Sequence, residues 1–266
     1  MSKARRTDTR TLDVLIATAL TEAERQAAGE QSMAQGVHLA IVVLQERGTR
    51  DVLDAALSLC KSDDAQRRKL GAEILGQLGW PERTFPEERC DALLALVQQD
   101  PELAVIIQAI YALGHLGHAR AVPALAALQN HADGEVRRGV AFSLCGHETP
   151  EAASALVHLA RDRETEVRDW ATTGIAQSLS IDGPPIRTLL LERAVDEDGI
   201  IRAEALSGLA LRRDSRMLPH LRAELIAEQE RPYLFIDAAK AFLGWSDDRD
   251  ASVEELLAAL DNAATA

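Results

Sequence analysis

The sequence predicts an all-α fold: an α-solenoid, a right-handed superhelix of about six to seven stacked helical hairpins. Three observations lead there. The first is a recurring block in which an aliphatic residue, an arginine, a small residue and a leucine or isoleucine keep fixed spacing, as in Val136-Arg137…Val140…Leu144, Val167-Arg168…Ala171…Ile175 and Ile201-Arg202…Ala205…Leu209. Fainter copies start at Arg67, Val105 and Phe235, so the anchors are spaced by 38, 31, 31, 34 and 34 residues. Offsets 0, 4 and 8 share one side of a helix turning about 100° per residue. The second observation is punctuation: prolines 86, 123, 150, 184, 185 and 219 fall where helices should start, and Gly79, Gly117, Gly146 and Gly244 fall where they should stop. The third is composition, 47% hydrophobic but only 3% aromatic, which suits Ala/Leu/Val helix packing better than β-sandwiches.

Each repeat reads as two helices, the anchors lying on the second. The first helices are expected over 50–60, 86–98, 121–128, 150–160, 185–193, 216–227 and 252–260. Residues 38–46 read as a further second helix ending in the turn 47–49. Residues 11–28 read as a capping helix with Leu12, Ile16 and Leu20 on one face. Residues 1–10 read as a disordered basic tail, residues 11–266 as one solenoid domain, and Asp261 to Ala266 as a frayed end. Offsets 4 and 7 are commonly small, as in Ala109 and Ala112 or Ala205 and Gly208, so that hairpins can approach closely.

An acid stands three residues before most anchors: Asp64, Glu102, Asp133, Glu164 and Asp198, with Pro232 in the last copy. Such acids satisfy free N–H groups at helix N-termini and oppose the helix dipole, worth about 0.5 to 1 kcal/mol each. The net charge is −13, although Lys3, Arg5, Arg6 and Arg10 against Asp8 make the first ten residues basic. That field disfavours nucleic acid and acidic membranes and favours a basic protein partner. Three cysteines, far apart and within expected helices, point away from disulfides and toward the cytoplasm. The N-terminus lacks a signal-peptide core, and no apolar run approaches a membrane span.

The segments Asp133-Gly134-Glu135-Val136-Arg137-Arg138-Gly139-Val140-Ala141 and Glu164-Thr165-Glu166-Val167-Arg168-Asp169-Trp170-Ala171 resemble HEAT repeats of the short bacterial type first noticed in phycobiliprotein lyases. The resemblance covers about residues 35 to 262. It implies a ladder in which Arg68, Arg137, Arg168 and Arg202 pair with neighbouring turn acids, broken where Ile106 and Ile236 replace the arginine.

Catalytic signals are weak, and the expectation is a protein that is not an enzyme and carries no cofactor or metal. His115, His118, His131 and His147 offer an imidazole set that would suit zinc or iron if the turns converged. The fold resembles that of deoxyhypusine hydroxylase, whose His-Glu pairs bind two irons, but this chain has only His147-Glu148, placed after its helix. HEAT-like DNA glycosylases use a basic groove, and the charge here opposes one. There is no phosphate-binding glycine loop.

Offsets 2 and 6 point away from the packed side and should line the concave surface. They place Ile107, Tyr111 and Phe142 in adjacent repeats with Arg138 among them and Asp169 and Thr173 beyond, flanked by Trp170 at offset 3. Apolar and aromatic groups beside arginine are the usual chemistry of a protein contact. The expected function is therefore a scaffold, adaptor or inhibitor that binds a basic protein, a toxin-neutralising immunity protein being one concrete form. A metal or cofactor enzyme and a nucleic-acid binder are the competing classes.

Overall fold

The computed structural model describes residues 8–27, 39–227, 233–246 and 248–265. His38, Pro232 and residues 1–7 of the expected tail lie outside them. All regular structure among the described residues is helical, and the chain divides into two compact units, residues 1–128 and 129–266.

Unit 1 holds α1 (Leu12–Ala27), α2 (Leu39–Arg47), α3 (Arg50–Leu59), α4 (Ala65–Gln77), α5 (Pro86–Gln99), α6 (Leu103–Leu116) and α7 (Val122–Ala127). Here α4 packs between α2 and α6, while α3 and α5 pack against α4 and α6. Unit 2 holds α8 (Gly134–Leu144), α9 (Pro150–Leu159), α10 (Thr165–Thr173), a π turn (Gly174–Ser178), α11 (Pro184–Arg193), α12 (Gly199–Leu211), α13 (Leu218–Ile226), α14 (Tyr233–Leu243) and α15 (Val253–Thr265). Its second helices α8, α10, α12 and α14 pack in chain order, with α9, α11 and α13 against them. Within each unit this is the stacked-hairpin layering of an α-solenoid.

The anchors form the seam. Val136, Val140, Leu144, Val167, Ala171, Ile175, Ile201, Ala205 and Leu209 are each 0% exposed. Two end positions depart from the pattern: Arg67 is exposed and Leu243 half-buried. Small residues permit the close approach. A Cβ on Gly208 would lie 2.9 Å from Cα of Ala176, which leaves no room between α12 and the π turn. The stop glycines 79, 117, 146 and 244 all adopt positive φ; at Gly117, φ is 66° and its N–H closes α6 onto the Leu113 carbonyl.

Three expectations need correction. Leu15 and Ala19 are the fully buried residues of α1, and Leu12, Ile16 and Leu20 are half-buried, because packing on α2 and α4 centres the stripe one position along. Residues 8–10 are held in place: Arg10 pairs with Asp8, and Arg47 donates to the carbonyls of both. The helix α15 runs on to Thr265, with Asp261 accepting from Arg222.

The caps divide by side-chain length. Asp64, Asp133 and Asp198 each accept two backbone N–H groups of the helix they open. Glu102 and Glu164 occupy the same position without accepting any, since the extra methylene carries the carboxylate past the turn. The arginine ladder is present; the acid that takes its paired bonds is not the capping one, although Arg137 also donates to Glu164 at the cap position of α10, at 2.9 Å. Arg68 grips Asp100 at 2.7 and 3.0 Å, Arg137 grips Asp162 at 2.6 and 2.9 Å, and Arg168 grips Asp196 at 3.1 and 3.2 Å. Each acid stands two residues before a cap residue and also accepts that residue's N–H at 3.0 Å. Arg202 reaches Glu224 on α13 instead.

Candidate interaction surface

On α8, offsets 2 and 6 present Arg138 and Phe142; on α10 the equivalent stretch presents Asp169, Trp170 and Thr173. Phe142 and Trp170 meet edge to face, ring centroids 5.0 Å apart and planes at 89°. This geometry sets the positive edge of one ring against the negative face of the other. Trp170 remains 37% exposed, whereas Phe142, Arg138, Asp169 and Thr173 are half-buried. Arg138 bridges Glu135 at 2.5 Å and Glu166 at 3.3 Å, which ties α8 to the start of α10.

Two acids of this face, Asp169 and Glu204, make no ion pair among the described residues. One oxygen of Asp169 is buried without a hydrogen-bond partner, and its carboxyl is pushed above the usual range by desolvation and then by Asp198 and Glu166. Glu204 on α12 is also raised, chiefly by desolvation, with Asp169 adding and the Gln177 amide opposing. Gln177, carried by the π turn, reaches Glu204 at 2.5 Å. Arg212 fastens that turn by donating to the carbonyls of Ile175, Ala176 and Leu179. Glu204 and Gln177 were not singled out from the sequence, although Glu204 stands at offset 3 of its repeat, as Trp170 does.

In unit 1, Ile107 and Tyr111 lie half-buried on α6. The histidines are engaged locally. The His118 ring meets Glu87 at 3.0 Å and accepts from Arg120 N–H, His131 Nδ1 accepts from Asp133 N–H, and His147 is buried. His115 lines a groove formed by α2, α4 and α6. Among the described residues no group of three or more His, Cys, Asp or Glu side chains is arranged to hold a metal ion. Burial raises the Cys60 thiol to about 12 and the Cys145 thiol to about 11, so both stay protonated at neutral pH and are poor nucleophiles. No described helix is long and apolar enough to cross a membrane.

Stacked hairpins with buried aliphatic anchors, capped second helices and inter-repeat arginine rungs define an α-solenoid of HEAT-like helical hairpins. The family model described as HEAT repeats matches residues 90–176. The chain is similar to Protein YibA of Escherichia coli, 27% identical over 189 residues that make up 69% of this chain and 67% of that protein. The crystal structure of YibA superposes with a TM-score of 0.66 at 22% identity, covering 96% of this chain and 97% of that one. An archaeal HEAT-like repeat protein from Thermococcus onnurineus NA1 gives a TM-score of 0.56 at 17% identity, covering 94% and 100%. A computationally designed armadillo repeat protein gives 0.52 at 19%, covering 71% and 99%.

Proposed function

We propose that this chain is a non-catalytic protein-interaction module that binds a basic partner through the exposed faces of its second helices. The observation that carries the reading is the Phe142–Trp170 pair, flanked by Arg138 and by the under-compensated carboxylates of Asp169 and Glu204. An aromatic centre with arginine beside it supplies affinity, and the surrounding acids steer a cationic partner and add salt dependence. Ile107, Tyr111 and Thr173 serve as further contacts. Helical-repeat solenoids of this kind are commonly scaffolds, and the designed armadillo relative was made for modular peptide recognition. Within this class, inhibition of a basic effector by an immunity protein is the narrower reading, supported by the charge of −13.

The test is a pulldown from host lysate with wild type beside Phe142→Asp and Trp170→Asp, each first shown to be folded by circular dichroism. Capture of one protein by wild type, released by salt and lost in both variants, supports the reading. Equal capture by all three moves the contact off this face, and stoichiometric metal in the purified protein would favour the enzyme class.

A further inference from the structure

The anchor spacing is longest, at 38 residues, across the link from α4 to α5, residues 78–85. Hydrogen bonds hold this link from several sides. Gly79 donates its N–H to the Gln45 carbonyl at 2.7 Å, Thr84 Oγ1 donates to the Gly48 carbonyl at 3.0 Å, and the buried Arg89 donates to the carbonyls of Leu78 and Thr84, each at 2.9 Å. The link presents Trp80, 44% exposed, and the exposed Arg83, whose guanidinium carbon lies 5.5 Å from the centre of the indole ring. Arg83 Nη1 donates at 3.2 Å to the Leu116 carbonyl, at the end of α6. Its Nε and Nη2 bond no described residue, and Arg83 makes no ion pair among the described residues. Of the acids nearby in sequence, Glu87 is engaged by His118 and Arg120 and Glu88 by Arg50, while the exposed Glu82 does not close on Arg83.

We propose that Trp80 and Arg83 form a docking point for an acidic segment of a protein partner, one carboxylate taken by Arg83 and an adjoining apolar side chain laid against the indole. Arg68, Arg137 and Arg168 show the chemistry within this same chain. In each, Nη1 takes backbone carbonyls while the edge formed by Nε and Nη2 grips a carboxylate. Arg83 repeats the first half of that arrangement and offers the same edge to a partner, in the planar geometry that matches a carboxylate. Its charge is felt locally: Arg89 and His115 are held below their usual ranges by desolvation and then by Arg83. The net charge of −13 does not forbid an acidic segment, because exposed charges more than about 8 Å apart are largely screened at physiological ionic strength. Trp and Arg are also the side chains that most often dominate a protein contact, and a link already fixed by its own hydrogen bonds loses little freedom on binding. This surface belongs to unit 1 alone and does not rest on the reading of Phe142 and Trp170.

The experiment is NMR on the ¹⁵N-labelled full chain, with the Trp80 indole and the Arg83 Nε–H assigned through Trp80→Phe and Arg83→Gln. The probes are acetyl-(Glu-Leu)₃-amide, its uncharged counterpart acetyl-(Gln-Leu)₃-amide, and sodium acetate. Expected is a saturable shift of both signals with the glutamate peptide, about tenfold weaker binding of the glutamine peptide to wild type and of the glutamate peptide to Arg83→Gln, and weaker binding of acetate than of the glutamate peptide. Because the probes are compared on wild type, the result does not depend on the folding of either variant. No saturable shift at millimolar peptide, or equal binding of the glutamine peptide, overturns the proposal. Acetate binding as tightly as the peptide overturns it in favour of a small-anion site. Shifts confined to the Trp170 indole overturn it while leaving the unit 2 surface standing.

Discussion

Arg137 of α8 closes on Asp162, ahead of α10, through two hydrogen bonds of 2.6 and 2.9 Å, and its remaining nitrogen donates to the carbonyls of His131 and Ala132. The two side chains are only 7% and 10% exposed. One guanidinium thus ties a turn, a helix start and the next repeat. Burial would raise the Asp162 carboxyl, but the Arg137 bonds more than offset it and hold it below the usual range.

Removing one partner should cost more than removing both. Asp162→Leu is expected to destabilise by about 3 kcal/mol, because it leaves the buried Arg137 guanidinium with the exposed Glu164 as its one carboxylate partner, whereas the Arg137→Met, Asp162→Leu double variant should recover much of that loss. Urea unfolding of the four members of the cycle measures it. Additive losses would mean that the rung is not coupled.

Arg89 is fully buried and has no carboxylate partner among its hydrogen bonds. It donates to the carbonyls of Leu75, Gly76, Leu78 and Thr84, closing the C-terminal end of α4. Desolvation, with Arg83 adding, lowers its pKa to about 10, so it stays charged at neutral pH. Arg89→Leu should cost more than about 3 kcal/mol through the carbonyls left unmet. Hydrogen exchange should show faster exchange at the end of α4 before other parts of unit 1.

Asp214 is held at about 2, below the ordinary 3.8, mainly by the hydrogen bond from Arg216. A depressed carboxylate contributes stability that is present above the unfolded value and lost as pH falls through the folded one. Wild type should therefore lose about 2 kcal/mol from this group between pH 4 and 2, and Asp214→Asn should flatten that limb of the stability curve. An unchanged acid limb in the variant would count against the assignment.

Asp169 has the opposite sign. Its raised pKa means that its contribution is greatest below the unfolded value and is lost as pH rises through the folded one. Asp169→Asn should raise Tm at pH 7.5, and the gain should shrink toward pH 4 as the wild-type carboxyl protonates. Thermal melts at the two pH values decide it.

Two glycines in α12 should respond in opposite directions to alanine. Gly208→Ala forces a methyl against the Ala176 backbone and should cost about 1 to 3 kcal/mol. Gly199→Ala meets only Arg202 at an ordinary 3.6 Å and should stabilise by about 0.5 to 1 kcal/mol by restricting the unfolded chain. Chemical denaturation of both variants checks the pair.

The helices, their order and the buried side of each second helix were legible in the sequence. Val136, Val140 and Leu144 must be apolar to share one helix face, and Asp133 and Gly117 act on groups one turn away or less. Such constraints are local, so a single repeat displays them and six copies reinforce them. The aromatic face was only partly readable: Trp170 was placed as a flank, but its contact with Phe142 and the desolvated Asp169–Glu204 neighbourhood depend on how α8, α10 and α12 superpose.

By itself, then, the sequence determined the periodic fold, the aspartate caps and the side of each helix that packs, because propensity and hydrophobic spacing act within a few residues. The tertiary structure alone decided that Asp100, Asp162 and Asp196 receive the paired bonds of the arginines, with the cap-position Glu164 a further acceptor for Arg137, that Leu15 and Ala19 centre the packed face of α1, and that Gln77 and Gln108 share a groove. Those outcomes depend on side-chain reach between elements about 25 or more residues apart, which helix periodicity does not encode.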